Sequence, residues 1–180
     1  MSETLDKAYE LTLVLRSQIG DERAFEELLT RHSGPLRFYV TKMLRDLPSN
    51  VDDVLQDTWL AMYRALPKLE KAAAFRAWLY RIAHDRVCRE FRRRHVEFRS
   101  PDELPVVEMP QADSAIDTEL LRVYLDHLSS EHREVLLLRF MQNLNYDEIA
   151  RVTGSTLGTV RSRIHYAKRA LRRAYEGSKL

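Results

Sequence analysis

Cysteine occurs once in the 180 residues, at Cys88, so no internal disulfide framework is available and a reducing compartment, the cytoplasm, is the expected setting. Long apolar runs are missing as well. Nothing approaches the roughly 18 apolar residues of a membrane span, and the opening MSETLDKAYELTLVLRSQIGDERAF carries charges throughout, so no membrane insertion and no secretory leader are expected. An excess of one charge sign is absent too: 29 Lys+Arg against 27 Asp+Glu leave a net +2, which excludes a protein working through bulk positive charge. Glycine (5) and proline (6) are scarce, and β-branched alternation is nearly lacking, which leaves helix as the dominant expectation. What remains, 44% hydrophobic and 31% charged residues, describes a globular chain long enough for one domain or two small ones.

The few prolines are unevenly placed. Pro101, Pro105 and Pro110 fall in SPDELPVVEMPQADSAIDTEL, residues 100–120, where six acids stand without a base. Prolines at that density break helices and favour extended backbone, so residues 97–113 read as a flexible acidic linker. The fold class that follows is all-α, with two small helical domains, about residues 1–96 and about 114–180, on either side of it.

In the first domain Asp21 is placed to cap a helix carrying Phe25, Leu28 and Leu29, and Gly34-Pro35 is expected to interrupt the helical run before Leu36, Tyr39, Val40 and Met43. Asn50 is placed to cap VDDVLQDTWLAMYRAL, whose Val51, Val54, Leu55, Thr58, Met62 and Leu66 recur at helical spacing while Asp52, Asp53, Gln56 and Asp57 mark another face. In the following segment, AAAFRAWLYRIAHDRVCREFRRRH, the expected apolar side is Phe75, Trp78, Leu79, Ile82 and Cys88. Between Arg76 and Arg99 eight arginines face only three acids, a local excess hidden by the total.

The second domain holds a sharper pattern. Ser129 or Ser130 can cap EHREVLLLRFM, and NYDEIARVTG begins with a capping-box pair, Asn145 and Glu148, and ends on Gly154. Ser155 is then expected to cap TLGTVRSRIHYAKRALRR, with Leu157, Val160, Ile164, Ala167 and Leu171 inward and six bases, without one acid, elsewhere. A short helix, a glycine turn and a basic helix make a helix-turn-helix whose second helix suits the major groove. Ser155, Thr156 and Thr159 offer hydroxyl donors near its start, Arg161 and Arg163 lie one turn in, where a guanidinium can reach guanine O6 and N7, and Gly158 removes a side chain where DNA would approach.

Four motifs in order, GDERAFEELLTRH, DDVLQDTWLAMYRAL, FRAWLYRIAHDRVCREFRRR and LSSEHREVLLLRFMQNLNYDEIARVTGSTLGTVRSRIHYAKRALRR, give the chain its family likeness: it resembles the bacterial RNA polymerase sigma factors of the extracytoplasmic-function (ECF) group over nearly its whole length. The resemblance implies that the segment matching DDVLQDTW, with Asp52, Asp53, Leu55, Gln56 and Asp57, docks on the clamp helices of core RNA polymerase. It implies that the segment FRAWLYRIAHDR opens promoter DNA and captures a flipped non-template base of the -10 element, with Arg76, Tyr80, Arg81, His84, Asp85, Arg86 and Arg89 as the DNA-binding residues. It further implies that the terminal helix reads the -35 element through Ser155, Thr156, Gly158, Thr159, Arg161, Ser162, Arg163, His165, Tyr166 and Lys168. An anti-sigma factor is an expected partner, and the acidic linker is expected either to mimic nucleic acid in the polymerase cleft or to serve as a plain acidic tether.

Three positions depart from the family pattern: Asp85 where asparagine is common, Ser155-Thr156 where a proline often stands, and Tyr166 at a frequently basic place. An ionised aspartate only accepts hydrogen bonds, so Asp85 either favours a base with an exposed amino group or pairs with a neighbouring arginine. Catalysis is not expected of this chain. Asp52 and Asp53 are adjacent and diverge on a helix, His84 with Cys88 and His127 with His132 lack third and fourth ligands, and there is no phosphate loop or nucleophile motif, so neither metal nor cofactor is anticipated. The competing function is a two-domain helix-turn-helix repressor or activator that is not a polymerase subunit.

Overall fold

The computed structural model describes residues 2–93 and 124–177, all in helices and the turns between them. The chain divides into two compact units, Met1–Glu90 and Phe91–Leu180. The expected acidic linker, residues 97–113, lies outside the described residues. Among the described residues no helix is long and apolar enough to cross a membrane.

In the first unit α1 (Ser2–Gln18) and α2 (Glu22–Met43) form an antiparallel hairpin. Gly20 turns the chain at φ +90°, a conformation that costs little without a Cβ. Asp21 then caps α2 as expected, accepting from the Ala24 amide at 3.1 Å, and that bond together with the Arg16 guanidinium holds its carboxyl below the usual range. Helix α2 corrects the sequence reading at Gly34-Pro35, for it runs straight through both. Proline removes the bond to the carbonyl four residues back, but Leu28, His32, Leu36, Tyr39, Val40 and Met43 keep one buried face continuous across it. Each fully buried leucine contributes about 1.5–3 kcal/mol, which offsets one lost hydrogen bond.

Helix α3 (Val51–Ala65) follows the short turn Pro48–Asn50 and buries Val51, Val54, Leu55, Thr58 and Met62. Asn50 does not cap it with its side chain, against expectation; its Nδ2 donates instead to Glu90, both residues being buried. Helix α4 (Phe75–Arg93) places Phe75, Leu79, Tyr80, Ala83 and Val87 inward. Trp78, Ile82 and Cys88, expected on the apolar side, are only half-buried. At about 100° per residue the true inward face is turned away from the expected stripe, because Tyr80 stacks edge-on against Tyr39 (5.2 Å, 90°) and Phe75 against His32 (5.3 Å).

The second unit is built around Val135–Leu138, four residues at 0% exposure. Ser129 caps α5 (Ser130–Leu136), which passes into a π-helical segment, Leu137–Met141. Asn143, in the left-handed region at φ 54°, then redirects the chain. Asn145 and Glu148 form the expected capping box at the start of α6 (Tyr146–Thr153), and Gly154 ends it at φ 66°. Helix α7 (Leu157–Gly177) packs on α5 and α6 with Val160, Ile164, Ala167 and Leu171 buried. Its cap is Thr156, whose Oγ1 accepts from the Thr159 amide at 3.1 Å, and not Ser155.

Candidate functional site

Three helices each present one outward face of distinct chemistry. On α3 the buried positions leave Asp53, Gln56, Asp57, Leu60 and Tyr63 together on the opposite side, all exposed, with the exposed Arg64 at the C-terminal end of the same row. Leu60 (44% exposed) and Tyr63 (63%) give this acidic face an apolar centre, the composition of an interface core with a polar rim. Asp52 sits at the edge and is engaged by Arg37 at 2.8 Å, an exposed pair of small energetic weight. Leu55 is a correction to the sequence assignment. At 5% exposure it packs into the unit's own core and offers a partner nothing. Leu60 and Tyr63 were missed because the acids dominate the segment; their i, i+3 spacing on the acidic side was the available signal.

On α4 the outward face is Trp78, Arg81, Ile82, Asp85 and Arg89, with Arg86 at its margin. It combines a planar ring, apolar surface and positive charge, the elements that stack and hold unpaired bases. Asp85 pairs with Arg81 at 3.3 Å, one turn away. Tyr80 and His84 are corrections. Tyr80 is fully buried, and burial pushes its phenol well above the usual range; His84, 9% exposed, turns its Nε2 to Cys88 Sγ at 3.4 Å. Neither ring is presented to a base. Among the described residues no group of three or more His, Cys, Asp or Glu is placed to hold a metal ion.

Arg76 is also reassigned. It points inward, and its Nη2 donates to Glu10 Oε2 at 2.9 Å, an oxygen that His32 Nε2 approaches to 3.1 Å. Burial pushes the Glu10 carboxyl up, but the His32 and Arg76 contacts outweigh it and hold the group at about 2 against an ordinary 4.5. A depressed carboxylate adds stability that is complete above pH 4.5 and lost as pH falls toward about 2. Urea midpoints of wild type and Glu10→Gln should therefore differ most at neutral pH and converge on acidification. A gap that stayed constant through that window would mean the Glu10 charge carries none of it.

On α7 the outward face is Gly158, Arg161, His165, Arg169 and Arg172, at helical spacing of 3, 4, 4 and 3. Arg161 is exposed one turn from the start; His165 stands edge-on to Tyr166 at 5.3 Å. Arg163 and Ser162, both expected on DNA, are buried at 7% and 3%. Arg163 reaches back to the turn, donating from Nη1 to Ser155 Oγ at 2.9 Å, and desolvation lowers its pKa while Glu131 and Glu134 counteract this. This bond ties the turn at Ser155 to α7. Thr156 and Thr159 share a 2.8 Å hydroxyl contact, and Lys168 lies 5.1 Å over the Phe140 ring. Arg169 was not among the expected contacts; its place on the Arg161 face was readable from spacing alone.

A family model described as Sigma-70 region 2 matches residues 28–96, and one described as Sigma-70, region 4, matches residues 124–173. The ECF RNA polymerase sigma-E factor of Escherichia coli strain K12 is 32% identical over 188 aligned positions, which cover 95% of this chain and 95% of the relative. The chain belongs to the ECF group of RNA polymerase sigma factors. The RNA polymerase sigma-H factor of Pseudomonas aeruginosa is similar as well, 31% identical with 91% of this chain and 92% of that relative covered. Among solved structures, CnrH in complex with the cytosolic domain of CnrY matches with a TM-score of 0.66 and 29% identity over 94% of this chain and 98% of that one. Region 2 of this ECF sigma factor thus takes in α2 from residue 28 onward, α3 and α4, and region 4 takes in α5, α6 and the greater part of α7. Helix α1 lies before the region 2 match. Like other sigma factors, the protein directs transcription initiation.

Proposed function

We propose that this sigma factor joins core RNA polymerase through the outward face of α3, holds the unpaired -10 strand on the outward face of α4 and reads the -35 element with the outward face of α7. The observation that carries this is the segregation of chemistry: an acidic face with an apolar centre on α3, and arginine faces on α4 and α7. Asp53, Gln56, Asp57, Leu60 and Tyr63 meet the polymerase, with Asp52 exchanging Arg37 for a basic group there. Arg81, Arg86 and Arg89 supply charge to the single strand while Trp78 and Ile82 supply surface. Arg161 reads a base edge in the major groove with His165 and Tyr166 beside it, Gly158 permits close approach, and Thr156 and Thr159 lie near the phosphates.

Residues 1–96 form the polymerase and -10 domain, residues 97–113 the linker and residues 114–180 the -35 domain. The bond chemistry of initiation belongs to the polymerase, and this chain works in the cytoplasm without a cofactor. An anti-sigma factor is the natural antagonist; a sigma factor of the same fold, RpoE from Bartonella quintana, was solved with the anti-sigma factor NepR. Core polymerase mixed with this protein and a library of linear genomic fragments should yield run-off transcripts whose start sites share a -35 and a -10 sequence. Duplex binding without polymerase and no initiation with it would instead mark a free-standing repressor.

A further inference from the structure

Helix α4 has polar residues at both ends of the face it turns into the first unit. Near its start, Arg76 stands amid the buried positions Phe75, Leu79 and Tyr80 and donates to Glu10 of α1. Near its end, Glu90 (9% exposed) accepts from Asn50, the residue immediately before α3, itself 7% exposed and in turn holding Ser49 Oγ at 2.9 Å. The two contacts join residues 66 and 40 positions apart in sequence. Between them the buried Leu79, Tyr80, Ala83 and Val87 make close apolar and aromatic contacts that select this face of α4, with Tyr80 edge-on to Tyr39, but such contacts are less directional than a hydrogen bond. A directional hydrogen bond at each end narrows the rotation that this packing allows. Were α4 to turn by one residue, Arg76 and Glu90 would both leave their partners, and the outward row of Trp78, Arg81, Ile82, Asp85 and Arg89 would be re-aimed by about 100°.

We propose that Glu10 and Asn50 are positioning residues for promoter opening: through Arg76 and Glu90 they clamp α4 at both ends and set the direction in which its outward face meets the separated strand. Helix α1, which precedes the region 2 match, is thereby a working part of the -10 machinery, and the start of the polymerase-docking helix is tied to the end of the DNA-holding one. Arg76 serves the clamp and not the DNA. This rests on the proposed role of α4 at the -10 strand.

The test compares holoenzymes carrying wild type, Glu10→Gln or Asn50→Ala on one promoter in two forms, fully duplex and with the -10 segment premelted by mismatches. A mis-aimed α4 loses capture energy that must drive opening, so duplex run-off should fall about 10-fold in each variant, while premelted run-off stays within about twofold of wild type. Affinity for core polymerase should hardly change. Equal losses on both templates would show that the clamp only maintains the folded fraction, and an unchanged duplex signal would show that it positions nothing; either result overturns the proposal. Failure of the underlying α4 reading is separable, since Arg81→Ala and Arg89→Ala on the outward face would then leave duplex run-off at the wild-type level.

Discussion

Replacing Asp53 and Asp57 together by lysine is expected to weaken binding to core RNA polymerase by about 100-fold or more, roughly 3 kcal/mol, and to abolish factor-dependent run-off. Both carboxylates are exposed on the outward face of α3, next to Leu60 and Tyr63, whose burial against a partner would strip water from the charges around them. Juxtaposing like charges at a desolvated rim costs more than deleting one attraction, which is why reversal is the informative change. The folded state should be almost indifferent, because neither side chain is buried. Asp52→Lys makes the internal comparison. It disturbs the Arg37 pair at the edge of the face and should cost far less affinity. A fluorescence titration of core polymerase, read beside the thermal midpoint of each variant, checks both statements. Undiminished affinity in the double variant would place the docking face elsewhere.

The second large effect is expected at Arg161. It is the exposed arginine one turn into α7, on the face shared with Gly158 and His165, where a bidentate contact to a base edge is within reach. Arg161→Ala should cost about 1–3 kcal/mol on the best -35 duplex and relax the preference at one base pair, leaving the other positions as they were. Arg172→Ala, three turns further along, should weaken all sequences alike and reduce the salt dependence by about one phosphate contact. Binding to duplexes substituted at each position, repeated over a salt series, separates these outcomes. Arg163→Ala behaves differently again, since that side chain latches Ser155 inside the domain and its loss should lower stability before it alters base preference.

Local signals were legible in the sequence and tertiary ones were not. Asp21, Ser129, the Asn145 and Glu148 box and Gly154 depend on neighbours within a few residues, and each cap lies where those neighbours dictate. The continuous Val135–Leu138 run announced the second core. By contrast, the direction in which α4 faces is decided by Tyr39, His32 and Glu10, which belong to other helices, so periodicity within α4 placed Trp78 and Ile82 on the wrong side, and the family resemblance sent Tyr80 and Arg76 to the DNA. Asn50 was misjudged in the same way: its partner Glu90 lies 40 positions along. Pro35 misled because intrinsic propensity argues for a break, whereas the buried face of α2 spans it. In α7 the sequence could count arginines but could not tell that Arg163, two residues from Arg161, turns inward.

Helix α6 has only eight residues, bounded by two left-handed positions, Asn143 before it and Gly154 after it. An isolated helix of that length is far below the roughly 12–15 residues at which helices become marginal in water, so its order derives from docking on α7 and on the π-helical segment that follows α5. The pair α6 and α7 is accordingly not a detachable part: a peptide comprising these two helices alone would lack the apolar floor formed by Val135–Leu138 and would have no reason to hold the angle between them. If α7 reads the -35 element as proposed, the smallest fragment expected to do so is the whole region 4 domain, which should gain and lose structure in a single cooperative step.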